Sequence, residues 1–230
     1  GREVFISYGP GMVLPQHPSS QASGRGMSER NSAGIRDLPV VGGMASIPSR
    51  AATLGPVLDK IMPQVERLHL FLHGYADVPP AAQRAGVLTY LAGKDHPYRA
   101  SGKFFGLSQE SEPCLYCCFD DDIYYRRGYV RRLRRGLMAH GGRAVVGFHS
   151  IVFDKAGDGS RAQRRQAFWH GSLRDIRVDA LGTGTIAFRS DLMPIDVTAW
   201  QYGDMDDLML AQDLARQNIP MISLSRLPGL

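Results

Sequence analysis

The chain has 230 residues, a formal net charge of +5 and 43% hydrophobic residues, which suits one α/β domain with a sizeable core. No run of about 18 apolar residues occurs, so the sequence predicts no transmembrane helix. The start Gly1-Arg2-Glu3 has neither an initiator Met nor an apolar signal segment, and we expect a processed piece of a longer protein.

The three cysteines lie within five residues of one another, at Cys114, Cys117 and Cys118. A structural zinc site needs four ligands, and neighbouring residues of a strand point to opposite faces. We therefore interpret the three as small core residues of a strand in a reducing compartment.

The chain divides into two parts by composition. Residues 1–39 contain a long stretch rich in Gly, Ser and Pro, which predicts a linker or an irregular surface wrap, with a stray strand at the sequence VFIS. Residues 40–230 have the texture of one globular domain.

Strands and helices alternate along that domain. Residues 40–47 indicate a buried strand, and Leu54, Leu58, Ile61 and Val65 follow at helical spacing, with Pro56 near the helix start. Further strands are predicted at 68–72, 115–119, 144–148, 185–188 and 221–224, and helices at 81–92, 128–139 and 206–217. The alternation favours a mostly parallel sheet with helices on both faces, where ligands bind at the carboxyl ends of the strands.

The strongest chemical signal is the run Asp120-Asp121-Asp122 at the end of an apolar strand. Three adjacent carboxylates repel one another, and a hard divalent cation such as Mn²⁺ or Mg²⁺ would neutralise them. Such a cation is also what a nucleotide diphosphate requires. The alternative is an exposed acidic turn or a helix cap.

The triplet also belongs to an ordered series of motifs. In sequence these are ASIPSR, SGKFF, DDDIYY, GYVRRLRRGLMAHGG, AVVGFHS, VDALGTGTIAFR and DDLMLAQDLARQNIP. Over residues 40–230 the series resembles bacterial nucleotide-sugar glycosyltransferases of the GT-A fold, family-2-like enzymes that carry a D-x-D motif. Two departures are His149-Ser150, where the family usually has His-Gly, and Tyr125-Arg126-Arg127, where it commonly has prolines.

The resemblance implies roles in binding the sugar donor. Ser46, Pro48 and Arg50 would line the nucleobase pocket, with ordinary strand-end capping as the alternative for Ser46 and Arg50. Lys103, with Asp95 upstream, would contact the donor as a point charge or a hydrogen-bond donor; its alternative is a solvated lysine.

The same resemblance divides the aspartate triplet. Asp122 would bind the metal, Asp120 would contact ribose, the metal or a metal-bound water, and Asp121 would be a less certain donor contact. The glycine-rich turn that follows later in the chain would form a wall of the donor pocket, although such a turn is often only a turn. Its residues are Gly182, Thr183 and Gly184.

On the acceptor side, the resemblance makes Asp207 the general base of an inverting transferase, with Asp206 as second choice. Helix capping is the alternative for both aspartates. His149, Trp169 and His170 are tentative contacts to acceptor or sugar, and a structural role is an equal alternative for each histidine.

The expected activity is sugar transfer, hexosyltransferase-like, from a nucleotide-diphosphate donor, with a UDP-sugar favoured, to a glycan or lipid-linked acceptor in bacterial surface glycan synthesis. The arginines at positions 126–135 could bind an anionic partner such as a membrane surface or a phosphorylated substrate, and an ordinary solvated helix face is the alternative. We expect a cytoplasmic protein, with contact to the inner membrane through these arginines. No nucleic acid is expected as a partner. Two alternatives are a nucleotidyltransferase and a non-catalytic polyanion-binding module that uses the arginine cluster. The sequence stops at Leu230, about where a GT-A tail would add a metal ligand or a lid.

Overall fold

The computed structural model describes residues 34–152, 171–193 and 195–226. The strands in chain order are β1 (Val40–Ser46), β2 (Arg67–His73), β3 (Val87–Ala92), β4 (Leu115–Asp120), β5 (Val145–Gly147), β6 (Ser150–Ile151), β7 (Ile176–Val178), β8 (Ala180–Leu181), β9 (Ile186–Arg189) and β10 (Met221–Ser223). The α-helices are α1 (Ala51–Ile61), α2 (Tyr129–Ala139) and α3 (Asp206–Arg216). Short 3-10 segments occur at Pro48–Arg50, Met62–Gln64, Pro80–Ala82, Arg99–Gln109, Thr183–Thr185, Ser190–Leu192 and Val197–Ala199.

An eight-stranded sheet forms the centre of the described structure, in the order β3-β2-β1-β4-β9-β5-β10-β7, and β6 pairs with β8 in a small second sheet. Neighbours β3-β2-β1-β4 are parallel, β5 and β10 are parallel, and β9 and β7 run against their neighbours. The predicted mostly parallel α/β architecture is confirmed. Strand order reverses at β1, with β2 on one side and β4 on the other, and such a switch opens a crevice at the carboxyl ends.

Two apolar layers cover the sheet. On β4, Leu115, Cys117 and Phe119 join the layer that includes α1 and α2. Tyr116 and Cys118 of β4, with Cys114 just before it, join the layer that includes α3 and the 3-10 segment Arg99–Gln109. This alternation is the two-residue period of a strand buried on both faces. It confirms helices on both faces and the three cysteines as buried, free core residues.

The prediction of a helix at 81–92 was wrong. Its second half is the edge strand β3, which pairs in parallel with β2, and only Pro80–Ala82 is helical. A short apolar run does not distinguish helix from strand, and here the run VLTYLA, with β-branched and aromatic residues, gains a full ladder of bonds as a strand. The helix α1 is also shorter than its apolar spacing suggested: it ends at Ile61, before Val65, and Pro56 lies inside it rather than near its start.

The packed core begins before residue 40. Residues 34–37 are helical, and Ile35 is fully buried against the layer that contains α2. Arg134 of α2 donates to the backbone oxygens of Arg36 and Leu38. The predicted VFIS strand and the rest of the Gly/Ser/Pro-rich stretch lie outside the described residues. Among the helices described, none combines the length and the apolar character needed to cross a membrane.

Candidate functional site

A pocket of about 460 Å³ opens at the carboxyl ends of β1, β2 and β4, at the point where strand order reverses. Its walls come from the ends of these three strands, from the 3-10 segment that starts at Arg99, and from the loop before α3. The lining residues are Ala45, Ser46, Ile47, Arg50, His73, Arg99, Ala100, Lys103, Asp120, Asp121, Asp122 and Asp204. The pocket is therefore polar, with charges of both signs.

Lys103 is a buried residue of the pocket lining, and it links the end of β4 to the start of α3. Its ammonium group donates to Asp120 at 2.5 Å and to the hydroxyl of Thr183 at 3.2 Å, and it lies 3.1 Å from a carboxylate oxygen of Asp206. Burial alone would lower the pKa of Lys103, but the nearby charges of Asp120 and Asp206 outweigh it, and the net pKa is raised. Lys103 is thus a permanent cation, held between the end of β4 and the start of α3.

Asp206 and Asp207, at the start of α3, meet at the same hydroxyl. The Oγ1 atom of Thr183 lies 2.6 Å from Asp206 and 2.8 Å from Asp207, and the Thr183 backbone N–H donates to Asp207 at 2.7 Å. One hydroxyl carries one proton, so it cannot donate to both carboxylates at once. Burial, followed by the charge of Asp206, raises the pKa of Asp207. The two carboxylates therefore share the single hydroxyl proton of Thr183. Lys103, Asp120, Thr183, Asp206 and Asp207 are called the Lys103 cluster below.

Asp121 and Asp122 face a different cation. The Nη1 atom of Arg50 bonds to a carboxylate oxygen of Asp122 and lies 3.8 Å from one of Asp121. Asp121 is only 7% exposed, and its Oδ2 atom has no hydrogen-bond partner. Burial raises the pKa of Asp121, although Ser46 and Arg50 partly oppose the shift. Arg50, Asp121 and Asp122 are called the Arg50 cluster below.

Close backbone packing sets the position of the Lys103 cluster. A side chain on Gly43 in β1 would collide with the carbonyl of Lys103, and one on Gly184 would collide with the carboxylate of Asp120. Tyr125, which is buried, donates to the carbonyl of Gly184 at 2.6 Å and accepts from the backbone N–H of Asp120 at 2.7 Å. The glycines inside β1 and before β9 are therefore explained by close approach of neighbouring groups.

The carboxylates of the Arg50 cluster fit a divalent cation. In the part of the chain that the structure describes, no three His, Cys, Asp or Glu side chains form a metal-binding group. Mg²⁺, however, is commonly bound through one or two carboxylates together with substrate phosphates and water. Since a single Arg50 nitrogen contacts both Asp121 and Asp122, one cation at that point could do the same. Asp120 is less suited, because Lys103 already pairs with it.

The structure brings together most of the predicted donor-side residues. Ser46, Arg50, Lys103 and the aspartate triplet line the pocket; the exposed residues Pro48 and Asp95 lie outside the lining. Asp206, Asp207 and the predicted glycine turn, Gly182, Thr183 and Gly184, are also outside the lining: Thr183 and the two aspartates meet the pocket through Lys103, and Gly184 lies against Asp120.

Of the three predicted acceptor contacts, His149 lies within the described residues. His149 is half-buried beside the glycine turn: its backbone N–H donates to Thr185, and its carbonyl accepts from Gly182. Trp169 and His170 lie outside the described residues.

Comparisons with known proteins give only distant structural similarities. No family model matches the chain, and no curated protein matches it. A structure of glucosyl-3-phosphoglycerate synthase from Mycobacterium tuberculosis with uridine diphosphate is 18% identical, with a TM-score of 0.39, over 61% of this chain and 52% of that one. A197 from STIV is 13% identical, with a TM-score of 0.44, over 82% of each chain. This chain thus spans about half the length of the synthase, and neither similarity is high enough to assign a function.

Three polar residues of the pocket lining were not predicted as site residues from the sequence. His73 ends β2, while Arg99 and Asp204 form a salt bridge of 2.7 Å across the pocket mouth. Gly203 lies so close to the carbonyls of Pro97 and Tyr98 that no side chain would fit there. A histidine at a predicted strand end was a usable signal for His73. The other contacts join loops about 100 residues apart, which no local pattern reveals.

The arginine cluster is partly used within the fold. Arg132 lies over the ring of Phe148 and donates to the carbonyl of Ser225, and Arg134 bonds to backbone oxygens before β1. Arg127, Arg131 and Arg135 are exposed at spacings of four residues. An exposed basic stripe therefore remains from Arg127, just before α2, to Arg135 on α2, with fewer members than the sequence cluster.

Proposed function

We propose that this chain is a glycosyltransferase domain of GT-A type that transfers a sugar from a nucleotide-diphosphate donor to an acceptor hydroxyl. The observation that carries the proposal is the joint placement of the three aspartates, Arg50, Arg99 and Lys103 around one pocket at the strand reversal. The pocket volume of about 460 Å³ lies within the range of small-molecule sites, which is roughly 300–1,000 Å³. The ordered motifs over residues 40–230 support the same assignment.

The diphosphate of the donor is negatively charged, and two exposed guanidinium groups of the pocket could bind it. The side chains of Arg50 and Arg99 are 43% and 55% exposed, and each can pair bidentately with phosphate oxygens. A divalent cation, Mn²⁺ or Mg²⁺, held by Asp122 together with Asp121, would add charge that stabilises the leaving diphosphate. Asp120, fixed by Lys103 and Gly184, is placed to accept a hydrogen bond from a ribose hydroxyl.

Asp207 is proposed as the general base for the acceptor hydroxyl, with Asp206 as its neighbour in the same network. Because the pKa of Asp207 is raised, its ionised carboxylate accepts a proton more readily than a solvated carboxylate does, which favours Asp207 as a base near neutral pH. The backbone N–H of Thr183 donates to Asp207, and the Thr183 hydroxyl lies within hydrogen-bond distance of the same carboxylate. Direct attack by a base-activated acceptor implies inversion at the anomeric carbon.

The remaining proposals concern partners. We favour a UDP-sugar as donor and a glycan or lipid-linked acceptor in bacterial surface glycan synthesis. The exposed residues Arg127, just before α2, and Arg131 and Arg135, on α2, would contact the anionic inner surface of the bacterial membrane, and we propose a cytoplasmic protein peripheral to that membrane.

A thermal-shift screen tests the proposal. UDP and the other nucleoside diphosphates are added with Mn²⁺, with Mg²⁺ or with EDTA, and UDP is expected to raise the unfolding temperature only when metal is present. Asp122→Ala should remove that shift, while Asp59→Ala, an exposed aspartate on α1 paired with Arg84, should keep it. If no nucleotide stabilises the wild-type protein, the proposal fails.

Proton NMR of the first-formed product tests the stereochemistry. The proposal predicts that the anomeric configuration of the transferred sugar is opposite to that of the donor. Retention would exclude Asp207 as the base of a direct displacement, while leaving the assignment of the donor pocket intact.

A further inference from the structure

Arg50 occupies a position that a small cation could also fill. One nitrogen, Nη1, faces a carboxylate oxygen of each of two adjacent residues, Asp121 and Asp122. Adjacent side chains at a strand end usually diverge, so their convergence on one point is specific to this turn. The point of convergence is itself part of the pocket wall.

Arg50 neutralises only part of the charge that it faces. Two carboxylates share one guanidinium group, and the Oδ2 atom of the largely buried Asp121 has no hydrogen-bond partner. A buried carboxylate oxygen without a partner is costly, because its hydration is lost without replacement. The oxygens that face Arg50 are Oδ1 of Asp121 and Oδ2 of Asp122, and an ion of higher charge at the same point would neutralise both carboxylates more fully than the arginine does.

The salt bridge between Arg50 and Asp122 is exposed and can be broken at little cost. Its side chain is 43% exposed, and that of Asp122 is 42% exposed. Exposed arginine–carboxylate pairs contribute little to stability. By contrast, Lys103 is enclosed by the carboxylates of Asp120 and Asp206 and has a side-chain exposure of 6%, so it is a fixed part of the fold.

We propose that Arg50 and a divalent cation are alternative occupants of the Asp121–Asp122 carboxylate pair, with Arg50 closing the metal site until the cation displaces it. The proposal rests on the proposed function for the identity of the site, and it adds Asp121 as a second ligand and Arg50 as a competitor. Once displaced, the guanidinium remains at the pocket wall, where the anionic part of a donor would bind. We therefore expect metal binding without nucleotide to be weak, because the cation must displace Arg50.

The test measures binding of Mn²⁺ alone, by electron paramagnetic resonance of the free aqueous ion, with no nucleotide present. Removing the competing charge in Arg50→Gln is expected to tighten Mn²⁺ binding about tenfold or more. Arg50→Lys keeps the charge but loses the planar fork, so its affinity should lie between those of the wild type and Arg50→Gln. Circular dichroism and urea unfolding verify that each variant is folded.

Arg99→Gln is the matched control. It removes the same charge from the same pocket, but Arg99 pairs with Asp204 rather than with the aspartate pair. Because its influence on Asp121 and Asp122 is screened, Mn²⁺ affinity should change by only about twofold. Adding Asp121→Asn or Asp122→Asn to Arg50→Gln should abolish the gain.

Three results would overturn the proposal: an unchanged or weaker affinity in Arg50→Gln, an equal gain in Arg99→Gln, or no measurable Mn²⁺ binding by any variant. If the protein binds UDP but Arg50→Gln does not gain Mn²⁺ affinity, the competition between Arg50 and the cation is rejected and the proposed function stands. A tenfold gain for Mn²⁺ in a protein that binds no nucleotide would support the competition and count against the proposed function.

Discussion

The Lys103 cluster and the Arg50 cluster lie side by side at the end of β4, yet they solve the same electrostatic problem differently. In the Lys103 cluster a buried ammonium group bonds to Asp120 and Thr183 and pairs with Asp206, so the cation is held inside the fold by several partners. In the Arg50 cluster an exposed guanidinium group covers Asp121 and Asp122 incompletely. The first arrangement suits a fixed framework, and the second suits exchange with a ligand.

The largest effect is expected for Lys103→Met. The variant leaves Asp120 and Asp206 beside each other without their buried cation, and breaking a buried pair in this way costs about 3–5 kcal/mol. Urea unfolding measured at neutral pH should show this loss. A loss below about 1 kcal/mol would mean that the Lys103 cluster is as solvated as the Arg50 cluster, and the contrast between them would disappear.

A second prediction concerns the packing that holds the Lys103 cluster. Gly184→Ala places a methyl group against the carboxylate of Asp120, and such overpacking costs about 1–3 kcal/mol. Gly55→Ala in α1 is the control, because its new Cβ would meet only Ala81 at 3.5 Å. Since alanine is favoured in helices, that control should gain about 0.5–1 kcal/mol. Equal unfolding free energies for the two variants would contradict the account.

A third prediction is the pH dependence of the Asp207 contribution. Burial and Asp206 raise the pKa of Asp207 in the folded state, so the folded chain holds this proton more tightly than the unfolded chain does. The resulting stability is fully present below the unfolded pKa of about 3.9 and is lost as pH rises through the folded pKa.

An asparagine cannot ionise, so Asp207→Asn does not lose stability as pH rises through the folded pKa of Asp207. The free energy of unfolding of the variant should therefore increase relative to that of the wild type as pH rises from about 4 to about 8. Urea midpoints at several pH values measure the difference. A difference that stays constant over this range would show that Asp207 does not retain its proton on folding.

The smallest stability effect is expected for Arg50→Gln. The pair is exposed on both sides, so its loss should change the unfolding free energy by less than about 1 kcal/mol. Urea unfolding in the same buffer as Lys103→Met makes the comparison direct. A cost approaching that of Lys103→Met would make Arg50 part of the fixed framework and would leave no room for exchange.

The general architecture and the donor side of the site were predictable from the sequence. Alternating apolar segments indicated the parallel sheet, and Asp120–Asp122 followed an apolar strand, so their place at a carboxyl end followed from strand polarity. The edge strand β3 was missed because its six residues carry no decisive period. Its pairing with β2, a non-local contact, determines its conformation.

The internal division of the site was not predictable. Lys103 was expected to contact the donor, but it bonds to Asp120 and Thr183, and Arg50 was expected at the base pocket, but it faces Asp121 and Asp122. Spacing in sequence carries no information on which of several charged side chains will pair across loops. The glycine turn was predicted as a wall of the donor pocket, but it lies outside the pocket lining, and its contact with Asp120 appears only in three dimensions.

The most direct test of the central claim is isothermal titration calorimetry of UDP into the wild-type protein, once with Mn²⁺ and once with EDTA. The account predicts that one UDP binds per chain and that this binding depends on Mn²⁺. Binding should be lost in Asp122→Asn and retained in Asp59→Asn, because Asp59 lies on α1 and pairs with Arg84. No heat of binding with Mn²⁺ for UDP would contradict the UDP-sugar assignment. Equal binding by Asp122→Asn and the wild type would contradict the location of the site.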